Sequence, residues 1–326
     1  MRRRDFIALT GAAAIWASPA RAQAVTTRKI GFLNSAAPET FAPFVNAFLS
    51  GLQEMGFTDG TNLRIEYRFA NGDPASLPIL AQELVSQDIE VLVATGGEQA
   101  AIAAKSATKT IPIVFSIGGD PIASGLAQSI SHPGMNATGF SLLNFLLETK
   151  RLELIREVVP DAAVYAAMLN PSSPVFEGRY RELVDVAEKS RLNLKIVLAD
   201  TEAAIDSAFE EIDAAGTGAL LVGSNPFFNS RREHIVDAVA RLGIPAIYEW
   251  REFALAGGLM SYGTSLSAAY RQVGVYAARI LKGDRPGNLP VLQPTVFELV
   301  INLKTAGSLG ISIPVGLLAR ADEVIE

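Results

Sequence analysis

Gly257-Gly258-Leu259-Met260-Ser261-Tyr262-Gly263 is the stretch on which the reading of this chain turns. Leu259, Met260 and Tyr262 form a short apolar run closed by Gly263, the pattern of a buried strand ending in a turn. A helix follows at once. Leu266, Tyr270, Val273, Ala277 and Ile280 recur at helical spacing, Ser265 supplies a cap and Lys282-Gly283 a stop. Pro286 and Pro290 forbid its continuation. A strand that delivers Ser-Tyr-Gly to the mouth of a helix belongs to an open parallel sheet, where ligands bind at the carboxyl ends of the strands.

The same unit recurs through the chain. Lys29–Asn34 reads as the first strand and Phe44–Met55 as a helix stopped at Gly56. Leu63, Ile65, Tyr67 and Phe69 alternate with Arg64, Glu66 and Arg68, which predicts a half-exposed strand at a sheet edge. Further strands are predicted at 89–94 and 111–117, the second followed by Gly118-Gly119-Asp120-Pro121 and a short helix. The alternation breaks at Ser131-His132-Pro133-Gly134-Met135-Asn136-Ala137-Thr138-Gly139, read as a crossing between lobes. It restarts with a helix over 146–159 and runs through strands at 164–169, 194–198, 219–222 and 244–248. Strands alternating with helices of this length specify an α/β fold with parallel, doubly wound sheets.

Composition narrows the function. The chain has 326 residues, room for two domains, and no cysteine, which excludes disulfides, thiol catalysis and thiolate metal sites. Residues 1–22 read as an export leader: Arg2-Arg3-Arg4, a short apolar segment from Phe6 to Ala20, and Ala20-Arg21-Ala22 before Gln23. Arg3-Arg4-Asp5-Phe6-Ile7 also fits a twin-arginine signal, with the general secretory route as the alternative. The leader carries Arg2, Arg3, Arg4 and Arg21 against Asp5, a net +3, so its removal takes the formal charge from −6 to −9. An acidic chain without a basic cluster argues against nucleic acid, and the mature chain has no segment long and apolar enough to span a membrane.

The candidate site lies in the loops after the strands. Asn34-Ser35, Thr95-Gly96-Gly97-Glu98, Gly118-Gly119-Asp120, Asn170-Pro171-Ser172-Ser173 and Ser224-Asn225-Pro226 are built from small polar residues. Tyr248-Glu249 and Tyr262-Gly263 add aromatics and a carboxylate. Facing lobes would bring these loops to one cleft. Gly96-Gly97 and Ser172-Ser173 stand where helix N–H groups favour a carboxylate. Glu98, Asp120 or Glu249 suits an ammonium, and Tyr248, Tyr262 or Phe227 an apolar ring. Tyr262 is expected to face Ser173 across the gap between lobes. For each of these residues the competing reading is a helix cap or a core side chain. No catalytic set or metal site is expected. His132 precedes a proline, and His234 sits beside Arg231, Arg232 and Glu233 on a solvated face. The glycine pairs match no phosphate-loop or dinucleotide fingerprint, and no cofactor is expected.

Gly257 to Leu281, Lys282-Gly283-Asp284-Arg285-Pro286, Phe297-Glu298-Leu299-Val300-Ile301-Asn302 and Ala321-Asp322-Glu323-Val324-Ile325 closely resemble the extracytoplasmic solute-binding proteins of ABC importers whose characterised members take tryptophan, tyrosine and related ligands. The resemblance implies a type I periplasmic-binding-protein fold: two Rossmann-like lobes joined by a multi-crossover hinge. It further implies a small-molecule ligand, a transmembrane ABC permease as partner, a periplasmic location and action as a monomer. Lobe 1 is then expected over 23–139 and 264–288, and lobe 2 over 140–263 and 289–326. The family often shows Asn-Pro, one residue, Asn-Pro; here Ser173 takes the place of the second Asn. Competing functions are a repressor effector domain, an exported α/β enzyme and a ligand sensor for a membrane receptor. The export leader disfavours the first, and the lack of a nucleophile or acid–base pair the second.

The leader reading predicts exported protein beginning at or near Gln23, checked by N-terminal sequencing. Replacing Arg3 and Arg4 with Lys blocks export if the twin-arginine route is used; unchanged export assigns the general route.

Overall fold

A computed structural model describes residues 27–143 and 147–326. The leader at 1–22, its cleavage point before Gln23 and the helix start at Leu146 lie outside these residues. The first lobe contains β1 (Arg28–Asn34), α1 (Pro38–Glu54), β2 (Leu63–Phe69), α2 (Leu77–Val85), β3 (Val91–Thr95), α3 (Glu98–Ala107), β4 (Ile113–Ile117) and β5 (Ala137–Ser141). The second contains α4 (Glu148–Val158), β6 (Tyr165–Leu169), α5 (Phe176–Lys189), β7 (Leu194–Leu198), α6 (Glu202–Ala214) and β8 (Ala219–Val222). It continues with α7 (Pro226–Ser230), α8 (Arg232–Leu242), β9 (Ala246–Tyr248), α9 (Arg251–Leu255) and β10 (Met260–Gly263). After α10 (Leu266–Leu281) come β11 (Glu298–Asn302), α11 (Leu303–Ser308), α12 (Val315–Leu318) and β12 (Glu323–Ile325).

The strands form two sheets. Lobe 1 has the order β2-β1-β3-β4-β5, parallel throughout, and the half-exposed β2 forms its edge. Lobe 2 has β12-β11-β10-β9-β8-β6-β7, parallel except where β11 runs against β10. The central strands are buried on both faces, as helices covering a parallel sheet require.

The chain passes between lobes after β5, after β10 and after Leu292. Helix α10 returns to lobe 1, where it packs along α1 with their backbones in near contact. A Cβ at Gly274 would stand 2.1 Å from the Phe48 carbonyl oxygen, and one at Gly51 2.0 Å from that of Arg271. At the helix edge the Arg271 guanidinium grips Glu54, with Nε 2.5 Å from Oε1. The crossings are tied to one another: the Thr264 hydroxyl donates to the Leu142 carbonyl at 3.4 Å. Leu143 takes the left-handed backbone conformation, φ 52°, which a branched residue adopts only where its surroundings impose it.

Several expectations change. Strand β5 runs past residue 139 to Ser141, so the first crossing follows the strand instead of interrupting it. Residues 289–292 belong beside β5, not in lobe 2. Ser141 N donates to the Leu292 carbonyl at 2.9 Å, and the Thr138 hydroxyl to that of Leu289 at 2.7 Å. From Glu298 onward the chain joins the lobe 2 sheet. Asp120-Pro121 opens a set of turns, not a helix, with Gly125 N bonded to the Ile122 carbonyl at 3.0 Å. Between β8 and β9 the helical segment divides at Arg231 into α7 and α8.

Gly274→Ala forces α10 off α1 and is expected to cost about 1–3 kcal/mol of stability, the range for overpacking a tight contact. Denaturant unfolding of the variant measures it; an unchanged midpoint would show that the contact tolerates a methyl group.

Candidate functional site

The strand-end loops of both lobes meet in one cleft with two joined compartments. Gly96, Gly97, Glu98, Ser173, Asn225 and Pro226 line both. The outer compartment adds Ser35, Gln99, Asn170, Ser172, Asp200 and Phe227. The inner one adds Phe41, Leu266 and Tyr270 from lobe 1, with Arg179, Glu249 and Trp250 from lobe 2. The lobes are closed on each other. Gln99 Nε2 donates to the Ser172 carbonyl at 2.9 Å, and a Cβ on Gly97 would lie 3.1 Å from Pro226 Cγ.

The lobe 1 wall is braced from behind. Asn34 and Thr95 are fully buried and sit beneath the cleft, outside its lining. Asn34 Nδ2 donates to Thr95 Oγ1 at 2.9 Å and to the Tyr270 hydroxyl at 3.1 Å, while its Oδ1 accepts from Ala36 N at 2.8 Å. The Ser35 hydroxyl donates to the Gly96 carbonyl. Gly96 and Gly97 have φ of 83° and 106°, and a Cβ on Gly96 would strike Ser35 Oγ at 2.6 Å, so this turn requires glycine. The turn launches α3 and brings Glu98, 6% exposed, into the cleft. Glu98 Oε1 is buried and takes no hydrogen bond among the described residues.

On the lobe 2 wall, Asn170 Oδ1 accepts from Ser172 N at 2.8 Å and the Ser172 hydroxyl donates to Asp200 Oδ2 at 2.7 Å. Asn225 caps α7, its Oδ1 accepting from Phe227 N at 2.9 Å. Ser173 lines both compartments, but it lies in a turn ahead of α5 and caps nothing; Val175 holds the cap position without a side-chain bond.

Beneath this wall lies a buried ionic cluster. Arg151 is completely buried; its Nε donates to the Tyr262 carbonyl at 2.7 Å and an Nη to Ser224 Oγ at 2.9 Å. Arg179 donates to the Ser224 carbonyl and lies 3.5 Å from Glu148 Oε1, which accepts from Ser224 N at 3.0 Å. Glu249 completes the cluster and lines the inner compartment. Burial pushes its carboxyl pKa up to about 8, against the opposing pull of Arg151 and Arg179. Burial likewise lowers the Arg151 pKa, countered by Glu249 and Glu148.

Besides Asn34 and Thr95, four residues read from the sequence as site candidates lie outside the cleft lining. Tyr262 shares a face of β10 with Met260, so period-two alternation turns its ring into lobe 2's own core, 6.2 Å from Phe297. It also stands on the same sheet as the strand leading to Ser173, not across the gap. Tyr248 is fully buried and stacks on Phe253 at 4.7 Å. Asp120 accepts from Ile122 N at 2.7 Å in its turn. Gly119 is a close backbone approach: a Cβ there would lie 2.7 Å from Glu98 Oε1 and 3.2 Å from Val175 Cγ1. The site also holds residues not anticipated: Gln99, Asp200, Trp250 and Tyr270 at the cleft, and Glu148, Arg151 and Arg179 in the cluster. The charged ones carried a signal. Arg179 falls in helical phase with Leu183 and Ala187, and Arg151 with Glu148 and Ile155, so each charge stands on an apolar face.

A two-lobed α/β chain with a hinged, polar-lipped cleft is the architecture of a binding protein. The chain belongs to the family of ABC transporter substrate binding proteins, which matches residues 38–325. Members of this extracytoplasmic family bind small molecules and work with ABC permeases. It is 29% identical over 273 residues to a tyrosine-binding protein of Clostridioides difficile, covering 80% of this chain and 75% of that protein. Among solved structures it is similar to a conserved domain protein from Vibrio cholerae, with TM-score 0.84, 29% identity and coverage of 91% and 99% of the two chains. It is also similar to an ABC domain from Streptococcus pneumoniae in complex with L-Trp, with TM-score 0.82, 25% identity and coverage of 92% and 100%. These findings agree with the family and fold read from the sequence. No helix among the described residues is long and apolar enough to cross a membrane.

The raised Glu249 pKa has a definite sign. The folded protein holds a proton that the unfolded chain releases above about 4.5, so this group's contribution to stability is full below that pH and is lost as pH rises through about 8. The parent is therefore expected to lose more stability between pH 5 and 8 than Glu249→Gln does. Urea midpoints at several pH values measure this, and parallel curves would contradict it.

Proposed function

We propose that this protein captures a small amphipathic ligand, an amino acid or related aromatic compound, in the cleft between its lobes and presents it to the permease of an ABC importer. It acts as a monomer, is exported to the periplasm by the leader at residues 1–22, and does not turn its ligand over. The observation that carries the reading is Glu98: a carboxylate oxygen buried at the cleft and lacking a partner among the described residues calls for a cationic N–H. Beside it the inner compartment offers Phe41, Leu266 and Tyr270 to an apolar body. Around the rim, the Ser173 hydroxyl and the α3 amino end with its backbone N–H groups suit a carboxylate. The similarity to a tyrosine-binding protein and to a domain solved with L-Trp supports the same class of ligand.

Thermal-shift and calorimetric titration with L-tyrosine, L-tryptophan and related amines and acids tests this. A ligand at 100 times its dissociation constant adds about 2.7 kcal/mol of stability. Glu98→Gln is expected to weaken the binding of ammonium-bearing ligands by roughly 10- to 100-fold, the scale for a hydrogen bond to a charged group. Folding should be unaffected, because the amide keeps the volume. Equal binding by parent and variant, or release of a product from bound solute, would refute the proposal.

A further inference from the structure

Trp250 is the cleft residue that the amphipathic reading leaves unused. It precedes α9 in an extended conformation, φ −114° and ψ 147°, and its carbonyl accepts from Phe253 N at 3.0 Å. The side chain is 4% exposed, belongs to the buried apolar cluster and lines the inner compartment with Phe41, Leu266 and Tyr270. Its indole Nε1 is buried and has no hydrogen-bond partner among the described residues. A buried indole N–H ordinarily finds an acceptor, since an unmet donor in an apolar wall is costly. The residues that line the compartment therefore include an unmet donor on lobe 2 and, in Glu98, an unmet acceptor on lobe 1.

We infer that Trp250 is a specificity-determining residue whose indole N–H takes an acceptor oxygen of the ligand, while Glu98 takes the ligand's cationic N–H from the opposite lobe. This rests on the proposed capture of an amphipathic amine in the cleft. Both groups are satisfied only by a ligand carrying both partners, with an apolar body between the walls. A solute with one feature leaves the other group buried and unpaired, and a site built around a hydrogen bond strongly rejects analogues that lack the matching group. The acceptor is either the ligand's carboxylate or an oxygen at the far end of its ring.

Calorimetry on parent and Trp250→Phe separates these cases. L-tyrosine is compared with L-phenylalanine, which lacks the ring oxygen, and with tyramine, which lacks the carboxylate. The parent should favour L-tyrosine over one of them by roughly tenfold or more, and that ratio should collapse in Trp250→Phe. The ratio that collapses identifies the oxygen. Unchanged ratios alongside good binding by the parent overturn the role of Trp250 and leave the capture reading standing; failure of the parent to bind these compounds, L-tryptophan or any of the related amines and acids overturns both. A second measurement avoids dependence on the variant's folding. Trp16 and Trp250 are the chain's two tryptophans and Trp16 lies in the leader, so protein beginning at Gln23 carries a single indole N–H resonance. That resonance should move downfield and gain protection from exchange on addition of L-tyrosine. A resonance unmoved by a ligand that calorimetry shows to bind would rule out the contact.

Discussion

The backbone contact between α1 and α10 is the constraint on which the rest of the molecule depends. Gly51 and Gly274 let the two helices meet with no side chain between them. This fastens a late segment of the chain to the first lobe and obliges the chain to cross between lobes again after Leu292. A pair of lobes joined by a single linker would leave their relative motion undirected. Chains crossing after β5, after β10 and after Leu292, with Thr264 bonded to Leu142, restrict that motion to a hinge. The same helix furnishes Tyr270, whose hydroxyl accepts from Asn34, and Leu266 in the inner compartment. The lobe 1 wall of the cleft is thus assembled from loops that α10 holds in place.

The other wall stands on charge. Burying Arg151, Arg179, Glu148 and Glu249 together carries a desolvation penalty that a well-packed apolar core would avoid. The arrangement compensates in part. Ser224 is gripped through its N–H, its carbonyl and its hydroxyl, so the loop at the cleft is fixed at its first residue. Arg151 also bonds the carbonyl of Tyr262, one residue before the end of β10. A rigid connection therefore runs from the cleft floor to the strand leading into the second crossing. Such a cluster contributes position more than stability, and position is what a binding wall requires.

How much of this was legible in the sequence follows from what each residue answers to. The alternation of apolar strands and capped helices is local chemistry, so every strand but β5, β11 and β12, the edge strand β2 among them, and the helix from Leu266 to Leu281 could be read directly. Loops with short polar side chains are also local, and Ser35, Gly96, Gly97, Glu98, Ser172, Ser173, Asn225 and Phe227 do come together at the cleft. The aromatics misled because a strand's period of two decides which face a ring takes, and Tyr248 and Tyr262 both answer to their own lobe's core. The break at Ser131–Gly139 looked like a domain boundary, yet its last three residues pair with β4 as the start of β5, and that pairing is a long-range fact. Arg151 and Arg179 were visible as charges on apolar helix faces. Their convergence on Ser224 depends on how α4 and α5 dock against β8, which no local pattern encodes.

On the proposed reading, these features also explain how a ligand favours the closed cleft. Glu98 of lobe 1 and Trp250 of lobe 2 line one compartment of the closed cleft, and each has a buried polar atom without a partner among the described residues. The lobes also meet in an exposed bond from Gln99 to the Ser172 carbonyl and in the close approaches of Gly97 to Pro226 and of Gly119 to Val175. A ligand that meets both polar groups stabilises the closed arrangement through two hydrogen bonds the protein does not itself supply. A ligand able to satisfy both binds the closed form more tightly than the open one, and only that difference in affinity shifts the population. Closure then reports the chemistry of the solute as well as its presence, and a permease that engages the closed form would receive a cargo the cleft has already checked.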